Sequence, residues 1–86
     1  MHSVYVLISK KDGSLYKGYS SNLKERLLEH QNGYVLATQD KRPLELVYCE
    51  MFKNRKDAMQ REVFFKTGWG RNYLKKVLSQ TLKEVN

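Results

Sequence analysis

The chain has 86 residues, a net charge of +7 and a hydrophobic fraction of 41%, which fits one small domain, residues 1–86, with a single core. No apolar run approaches the roughly 20 residues that a membrane-spanning helix needs. The single cysteine, Cys49, excludes an internal disulfide, and with two histidines a zinc-ligand cluster is excluded as well, so we expect a cytoplasmic protein. The positive charge favours nucleic acid over a membrane surface as the partner. An ordinary basic protein is the alternative.

The first predicted elements are two strands joined as a hairpin. Residues 4–9 and 15–20 are rich in β-branched and aromatic side chains, and Asp12-Gly13 between them is typical of a tight turn. A two-residue loop pairs Ser9 with Tyr16, Leu7 with Gly18, and Tyr5 with Ser20. In this register Tyr5, Tyr16 and Gly18 share one face of the sheet. Gly18 then leaves a trough between the two phenols, or it is a bulge glycine.

The next segment predicts a helix, a loop and a third strand. Asn22 and Glu25 form a capping-box pattern, and Gly33 follows the expected helix end at about Asn32. Residues 34–43 lack periodicity and are assigned to a loop. Residues 44–52 are apolar on both faces, which predicts a central strand that is buried on two sides.

Two polar side chains flank the apolar stripe of the first helix. At 100° per residue, Arg26 and His30 lie beside Leu23 and Leu27 rather than opposite them. That position suits groups that lean over a cleft next to the core. A solvated arginine with a histidine at the helix end is the alternative.

The second helix, about residues 55–67, contains a carboxylate where an apolar residue is expected. Glu62 falls inside an apolar arc, and a buried carboxylate is costly unless it is paired or binds a metal. An ion pair with Lys66, one turn away, is the alternative explanation. The arc is formed by Ala58, Met59, Val63 and Phe65.

A third amphipathic helix closes the chain. Residues 67–70 end the second helix, and Trp69 is expected to pack between helices, with an exposed base-stacking role as the alternative. Arg71 belongs to a solvated face or contacts phosphate. The apolar stripe of this helix consists of Leu74, Val77, Leu78, Leu82 and Val85.

Several short motifs occur together in a recognisable order. They are Ser3-Val4-Tyr5, Tyr16-Lys17-Gly18, Arg26-x-x-x-His30, Arg42-Pro43, Ala58-x-x-x-Glu62-x-x-x-Lys66 and Lys66-Thr67-Gly68-Trp69-Gly70-Arg71. In this order they resemble the GIY-YIG nuclease domain over essentially the whole chain. The likeness is strongest to small stand-alone bacterial members, which are similar to the N-terminal nuclease domain found in the bacterial excinuclease. It implies an α+β, sandwich-like fold in which a three-stranded sheet is flanked by about three helices. The implied order of the elements is β-β-α-β-α-α.

The resemblance also implies an endonuclease that hydrolyses phosphodiester bonds in DNA, in repair or recombination, with one divalent ion, Mg²⁺ or Mn²⁺. The implied catalytic residues are Tyr5, Tyr16, Arg26, His30 and Glu62, with Glu62 as the metal ligand. The residues expected to contact nucleic acid, DNA or alternatively RNA, are Lys17, Gly18, Arg26, Lys66 and Arg71. Either tyrosine is a candidate to activate water, and the sequence does not choose between them.

The chain departs from the family pattern at four signature positions, which are occupied by Ser3, Val4, Lys17 and Tyr19. Val4 and Lys17 are expected to point away from the tyrosine face. These departures, with the basic charge, leave a non-catalytic nucleic-acid-binding module as the alternative function. A chain of this size leaves no room for a separate DNA-binding domain, so specificity is expected from nucleic-acid structure or from a partner protein.

Overall fold

The computed structural model describes residues 1–85, which form a three-stranded antiparallel sheet with helices on both of its faces. This arrangement confirms the predicted α+β fold. A single 3-10 turn, Gln39–Lys41, precedes the third strand, and no helix within the described residues is long and apolar enough to cross a membrane. The elements are β1 (His2–Ser9), β2 (Leu15–Ser20), α1 (Leu23–Gln31), β3 (Leu44–Phe52), α2 (Arg55–Phe65), α3 (Gly68–Val77) and α4 (Ser79–Val85).

The first strand, not the third, is the centre of the sheet. The strand order is β2-β1-β3, and every residue of β1 from Ser3 to Ser9 is buried. The predicted bounds of β3 are confirmed, but its predicted central position is wrong, because it pairs only with β1 and leaves Leu46 and Met51 exposed. An apolar run is compatible with an edge strand when only part of each face is covered.

The hairpin register differs from the prediction by two residues. Tyr5 lies opposite Gly18, and Leu7 lies opposite Tyr16. The loop comprises residues 10–13, because the Asp12 side chain accepts the Ser14 N–H at 2.9 Å instead of closing a two-residue turn. A shift of two keeps the alternation of side chains, so the predicted shared face of Tyr5, Tyr16 and Gly18 is confirmed.

Capping defines both ends of α1. The Asn22 side-chain oxygen accepts the Glu25 N–H at 3.2 Å, as predicted. The Glu25 carboxylate accepts from the Asn22 amide, also at 3.2 Å, while the Asn22 backbone N–H donates to Ser20 at 2.9 Å. Gly33 follows the helix with φ +78°, a conformation that glycine adopts without strain.

The helices α2 and α3 cover one face of the sheet with an apolar core. This core consists of Val4, Val6, Ala58, Phe65, Leu74 and Leu78. Arg61 closes its border by binding both carboxylate oxygens of Glu50 on β3, at 2.8 and 3.1 Å. The Arg61 guanidinium lies 4.7–4.9 Å from the ring centroids of Phe64, Phe65 and Tyr73. Burial opposes ionisation of Glu50, but hydrogen bonds from Arg61 and Tyr48 hold its pKa below the usual range.

The buried face of α2 is rotated relative to the predicted apolar arc. Ala58 and Phe65 are buried as expected, but Met59 and Val63 are exposed. The face turns toward Arg61 because that side chain is held between the sheet and the aromatic rings. Glu62 therefore lies at the border of the buried face rather than inside it.

The predicted third helix is two helices. The chain turns at Leu78, which ends α3 by donating its N–H to the Leu74 carbonyl at 2.9 Å, and α4 begins at Ser79. Val77, on the predicted stripe, is exposed, whereas Leu78 is buried. The side chain of Val85, on the same stripe, lies outside the described part of the structure.

The third helix begins earlier than predicted. Thr67 is its N-cap and accepts the Gly70 N–H at 3.2 Å, so Trp69 belongs to the first turn. The predicted packing of Trp69 is wrong, because 81% of this residue is exposed. Gly70 instead makes the interhelical contact, and a Cβ there would overlap the Phe64 carbonyl and the backbone of Phe65.

We expect Gly70→Ala to lower the free energy of unfolding by about 1–3 kcal/mol, because α2 and α3 must separate to accept a methyl group. Gly68→Ala is the matched control, since a Cβ there meets nothing closer than 3.8 Å. Its free energy of unfolding should equal or exceed wild type by up to about 1 kcal/mol. Urea denaturation followed by circular dichroism measures both, and equal stabilities would contradict this account of the contact.

Candidate functional site

Three aromatic rings pack together on the face of the sheet that α1 covers. The ring centroids of Tyr16 and His30 are 5.2 Å apart, those of Tyr5 and His30 are 5.6 Å apart, and those of the two tyrosines are 6.3 Å apart. His30 reaches this position from the last turn of α1, where it is buried. The structure thus brings together three of the predicted catalytic residues.

A buried chain of hydrogen bonds runs through His30. The Tyr5 hydroxyl lies 2.8 Å from His30 Nε2, and the Thr38 hydroxyl lies 2.7 Å from His30 Nδ1. A neutral imidazole has one donor and one acceptor nitrogen, so the two bonds must point the same way along the chain. Burial lowers the pKa of His30, and the positive charge of Arg26 lowers it further, which favours this neutral form.

The sequence did not identify Thr38. It lies in the segment assigned to a loop, without periodicity or a neighbouring motif, and only the fold places its hydroxyl against His30. Thr38 is fully buried, and its backbone N–H donates to the Val35 carbonyl at 3.1 Å. Its burial in a polar loop sequence is a property of tertiary packing.

Gly18 provides the surface on which the Tyr5 ring rests. A Cβ at this position would overlap the end of the Tyr5 ring, so both the open trough and the bulge are wrong. The pairing of β1 with β2 is regular there, and the one register shift of β1 lies on its β3 side. Gly18 is required because another side chain approaches closely, not because the strand is irregular.

Charges around the Tyr5 hydroxyl set its ionisation. Burial raises the pKa of Tyr5 to about 12; the nearby Arg26 guanidinium lowers it, and the charges of Tyr16 and Glu62 raise it. Tyr5 is therefore neutral near pH 7. Arg26 also donates to Glu29 at 3.0 Å, so Glu29 lies beside the site.

Glu62 approaches the same region from the other face of the sheet. Its side chain is 17% exposed and forms an ion pair with Lys66 at 3.6 Å. The partly buried carboxylate and the Lys66 ion pair, which the sequence offered as alternatives, are therefore both present. Because α2 packs beneath Val4 and Val6 whereas His30 packs on Tyr5, Glu62 and His30 come from opposite faces of the sheet, and α2 also contacts β2, which is an edge strand. Glu62 is close enough for its charge to raise the pKa of Tyr5.

The other predicted nucleic-acid contacts form a basic patch, which we define as Lys17, Lys66 and Arg71. Burial lowers the pKa of Lys17, and the charges of Arg71 and Lys66 lower it further, which indicates that the three cations lie close together. Arg71 donates to the Lys66 carbonyl at 3.2 Å. Lys17 and Val4 face away from Tyr5, as the sequence predicted.

The side chains of the site are suited to a divalent ion that is bound through few protein ligands. Within residues 1–85 no three His, Cys, Asp or Glu side chains come close enough to form a metal site of their own. Glu62 offers a single carboxylate at the β2 edge. Mg²⁺ commonly binds through one or two carboxylates with water and substrate phosphate, whereas zinc needs several protein ligands. The donor set therefore fits the expected Mg²⁺ or Mn²⁺ and does not fit zinc.

Protonation of His30 should weaken the fold. Its pKa in the folded chain lies below the usual 6.5, so stability is complete above pH 6.5 and falls as the pH drops through the folded value. The loss should not exceed about 1.4 kcal/mol per pH unit. Urea midpoints from pH 7.5 to 5.0 measure it, a range above the one in which Glu50 titrates. His30→Gln should remove the slope, and an unchanged slope would contradict the assignment.

Comparisons with known proteins identify the family of this chain. A family model described as the GIY-YIG catalytic domain matches residues 1–75. The UPF0213 protein of Clostridium perfringens is 38% identical over an alignment 87 residues long, which covers 100% of this chain and 92% of that protein. The UPF0213 protein of Staphylococcus saprophyticus is 42% identical over 67 residues, 77% of this chain and 80% of that protein. No solved structure gives a significant match.

A further relative, the UPF0213 protein of Bacillus pumilus, is 44% identical over 72 residues, which cover 81% of this chain and 72% of that protein. These relatives and the family model span most of the chain, and the range matched by the family model contains positions 5, 16, 26, 30 and 62. The chain belongs to the GIY-YIG catalytic-domain family.

Proposed function

We propose that this protein is a metal-dependent endonuclease that hydrolyses phosphodiester bonds in DNA. The observation that carries the proposal is the convergence of Tyr5, Tyr16 and His30, with Arg26 beside them, on the β2 edge that Glu62 approaches from the other face. Membership of the GIY-YIG family implies nuclease activity in general. The same proposal includes a role in DNA repair or recombination. It also includes recognition of DNA structure, by this protein alone or with a partner protein.

Burial favours Tyr16 as the phenol that contacts the reacting groups. Tyr5 is fully buried and its hydroxyl is engaged with His30, whereas Tyr16 is partly exposed. The Tyr16 hydroxyl makes no hydrogen bond to any other described residue, so it is free to bind water or a phosphate oxygen. We therefore assign water activation to Tyr16 and treat Tyr5, His30 and Thr38 as positioning residues.

Arg26 is suited to hold the scissile phosphate. One guanidinium nitrogen donates to Glu29, which orients the planar group, and the remaining donors can bind phosphate oxygens. The hydrogen bond with Glu29, and then the nearby Tyr5 hydroxyl, raise the pKa of Arg26, so its charge is permanent. Charge that develops on the phosphoryl oxygens would be offset at this point.

Glu62 is the residue that would hold the metal ion. When bound, a divalent ion acts as a Lewis acid that stabilises negative charge on the phosphoryl group. In the free protein Lys66 neutralises the Glu62 carboxylate, and this cation is exposed enough to turn toward a phosphate instead. If Lys66 turned to a phosphate, the Glu62 carboxylate would be available to a metal ion. The charge of Glu62 would then be balanced by that ion instead of by Lys66.

We expect Glu62→Gln to reduce cleavage by roughly 100-fold or more, because the amide keeps the volume but loses the charge that binds the ion. The assay uses nicked, branched and single-stranded DNA with Mg²⁺ or Mn²⁺ and with excess EDTA. Glu45→Gln, the same change on the distant β3 edge, is the matched control and should cleave like wild type.

The same assay separates the nuclease from a non-catalytic binding module. Equal trace cleavage by wild type and Glu62→Gln, with salt-sensitive binding that persists in EDTA, would reject the enzyme and favour the binding module. Circular dichroism of the variant should match wild type, since an ion pair of this kind within one helix contributes at most about 1 kcal/mol.

The two tyrosines should respond differently to loss of the hydroxyl group. Tyr16→Phe should lower kcat by roughly 100-fold with little change in stability. Tyr5→Phe should lower the free energy of unfolding by about 1–3 kcal/mol, because His30 loses a buried partner, and should retain more activity than Tyr16→Phe. Single-turnover cleavage and urea denaturation measure both effects, and the reverse pattern would assign water activation to Tyr5.

A further inference from the structure

We propose that Trp69 and the cations beside it bind an unpaired segment of nucleic acid, with the indole stacked on a base while Lys66 and Arg71 contact its phosphates. The inference rests on the proposed function for the class of its ligand, and it adds which form of nucleic acid the protein binds. Trp69 has no role in the catalytic arrangement described above.

Trp69 is presented on a rigid turn. The first turn of α3 is held by the Thr67 cap and by close packing of Gly70 on the backbone of Phe64. With Gly70 facing α2, the neighbouring Trp69 projects outward and is 81% exposed. A rigid aromatic platform loses little entropy when a base stacks on it.

Exposure alone does not distinguish Trp69, because other apolar side chains are as exposed. Tyr34, for example, is 78% exposed, and isolated residues of this kind are ordinary on protein surfaces. Trp69 differs in its surroundings, since it follows Lys66, with a side chain 57% exposed, and precedes Arg71. Arg71 folds back and donates to the Lys66 carbonyl at 3.2 Å, which holds its guanidinium against the turn that carries Trp69.

The turn is continuous with the proposed catalytic site. Lys66 is ion-paired with Glu62 at 3.6 Å, and Lys17 on β2 completes the basic patch on the same side of the sheet. Glu62 lies near the end of α2, and Trp69 lies in the first turn of α3, directly after the junction of the two helices. We therefore expect a strand that stacks a base on Trp69 to contact Arg71 and Lys66, and Lys66 is the partner of Glu62.

The chemistry favours an unpaired segment over an intact duplex. Stacking on an indole requires an accessible base face, and in a duplex those faces are covered by neighbouring base pairs. Every base offers such a face, so the contact carries little sequence information. It would instead select flaps, gaps and single-stranded tails next to the cleavage site.

Trp69 is the only tryptophan in the chain, so its fluorescence reports the contact directly. The full-length protein in EDTA is titrated with a 20-nucleotide oligothymidylate, a duplex of the same length and heparin. We expect quenching by the single strand, little quenching by the duplex, and none by heparin, which has charge but no bases. Because EDTA prevents metal-dependent cleavage, the result does not depend on whether the proposed nuclease activity exists.

Fluorescence anisotropy of a labelled oligothymidylate then measures affinity. Trp69→Ala should weaken single-strand binding by roughly 5- to 150-fold, and Tyr34→Ala, a change of equally exposed aromatic surface, should leave the affinity unchanged. Equal quenching by heparin, or an unchanged affinity of Trp69→Ala, would overturn the proposal, and the latter would favour a protein partner for the indole.

Discussion

The packing of the Tyr5 ring on Gly18 is the contact on which the rest of the site depends. Because Gly18 has no side chain, the ring crosses β2 and carries its hydroxyl to His30 at 2.8 Å. His30 in turn binds Thr38 at 2.7 Å, so one hydrogen-bonded chain joins the central strand, α1 and the following loop. A larger residue at position 18 would displace the ring and separate these elements.

The second helix positions Glu62 through an interaction on its other side. Arg61 binds Glu50 with two hydrogen bonds and lies between aromatic rings, so it fixes the rotation of α2 about its own axis. With Arg61 and Phe65 directed inward, Glu62 lies at the border of the buried face, where 17% of its side chain is exposed. A structural ion pair thus determines the direction of the carboxylate that we propose as the metal ligand.

The charged groups of the site form ion pairs in the free protein, but these pairs leave the side chains able to bind other partners. Arg26 is joined to Glu29 three residues away, and Glu62 is joined to Lys66, the residue that caps the C-terminus of α2. Pairs within a helix are weak, and a phosphate backbone offers the cations an alternative partner. The proposed function therefore needs little rearrangement of the backbone, because the exposed side chains can exchange partners in place.

The sequence by itself determined the strands, the Asn22 cap of α1, the shared face of Tyr5, Tyr16 and Gly18, and a partly buried carboxylate at Glu62, because side-chain alternation, turn residues and capping depend on near neighbours. Tertiary structure alone decided the shift of the hairpin by two residues, the edge position of β3, the turn at Leu78 and the exposure of Trp69. It also placed Thr38 against His30. These features depend on which distant segments compete for the same surface, and no local pattern records that competition.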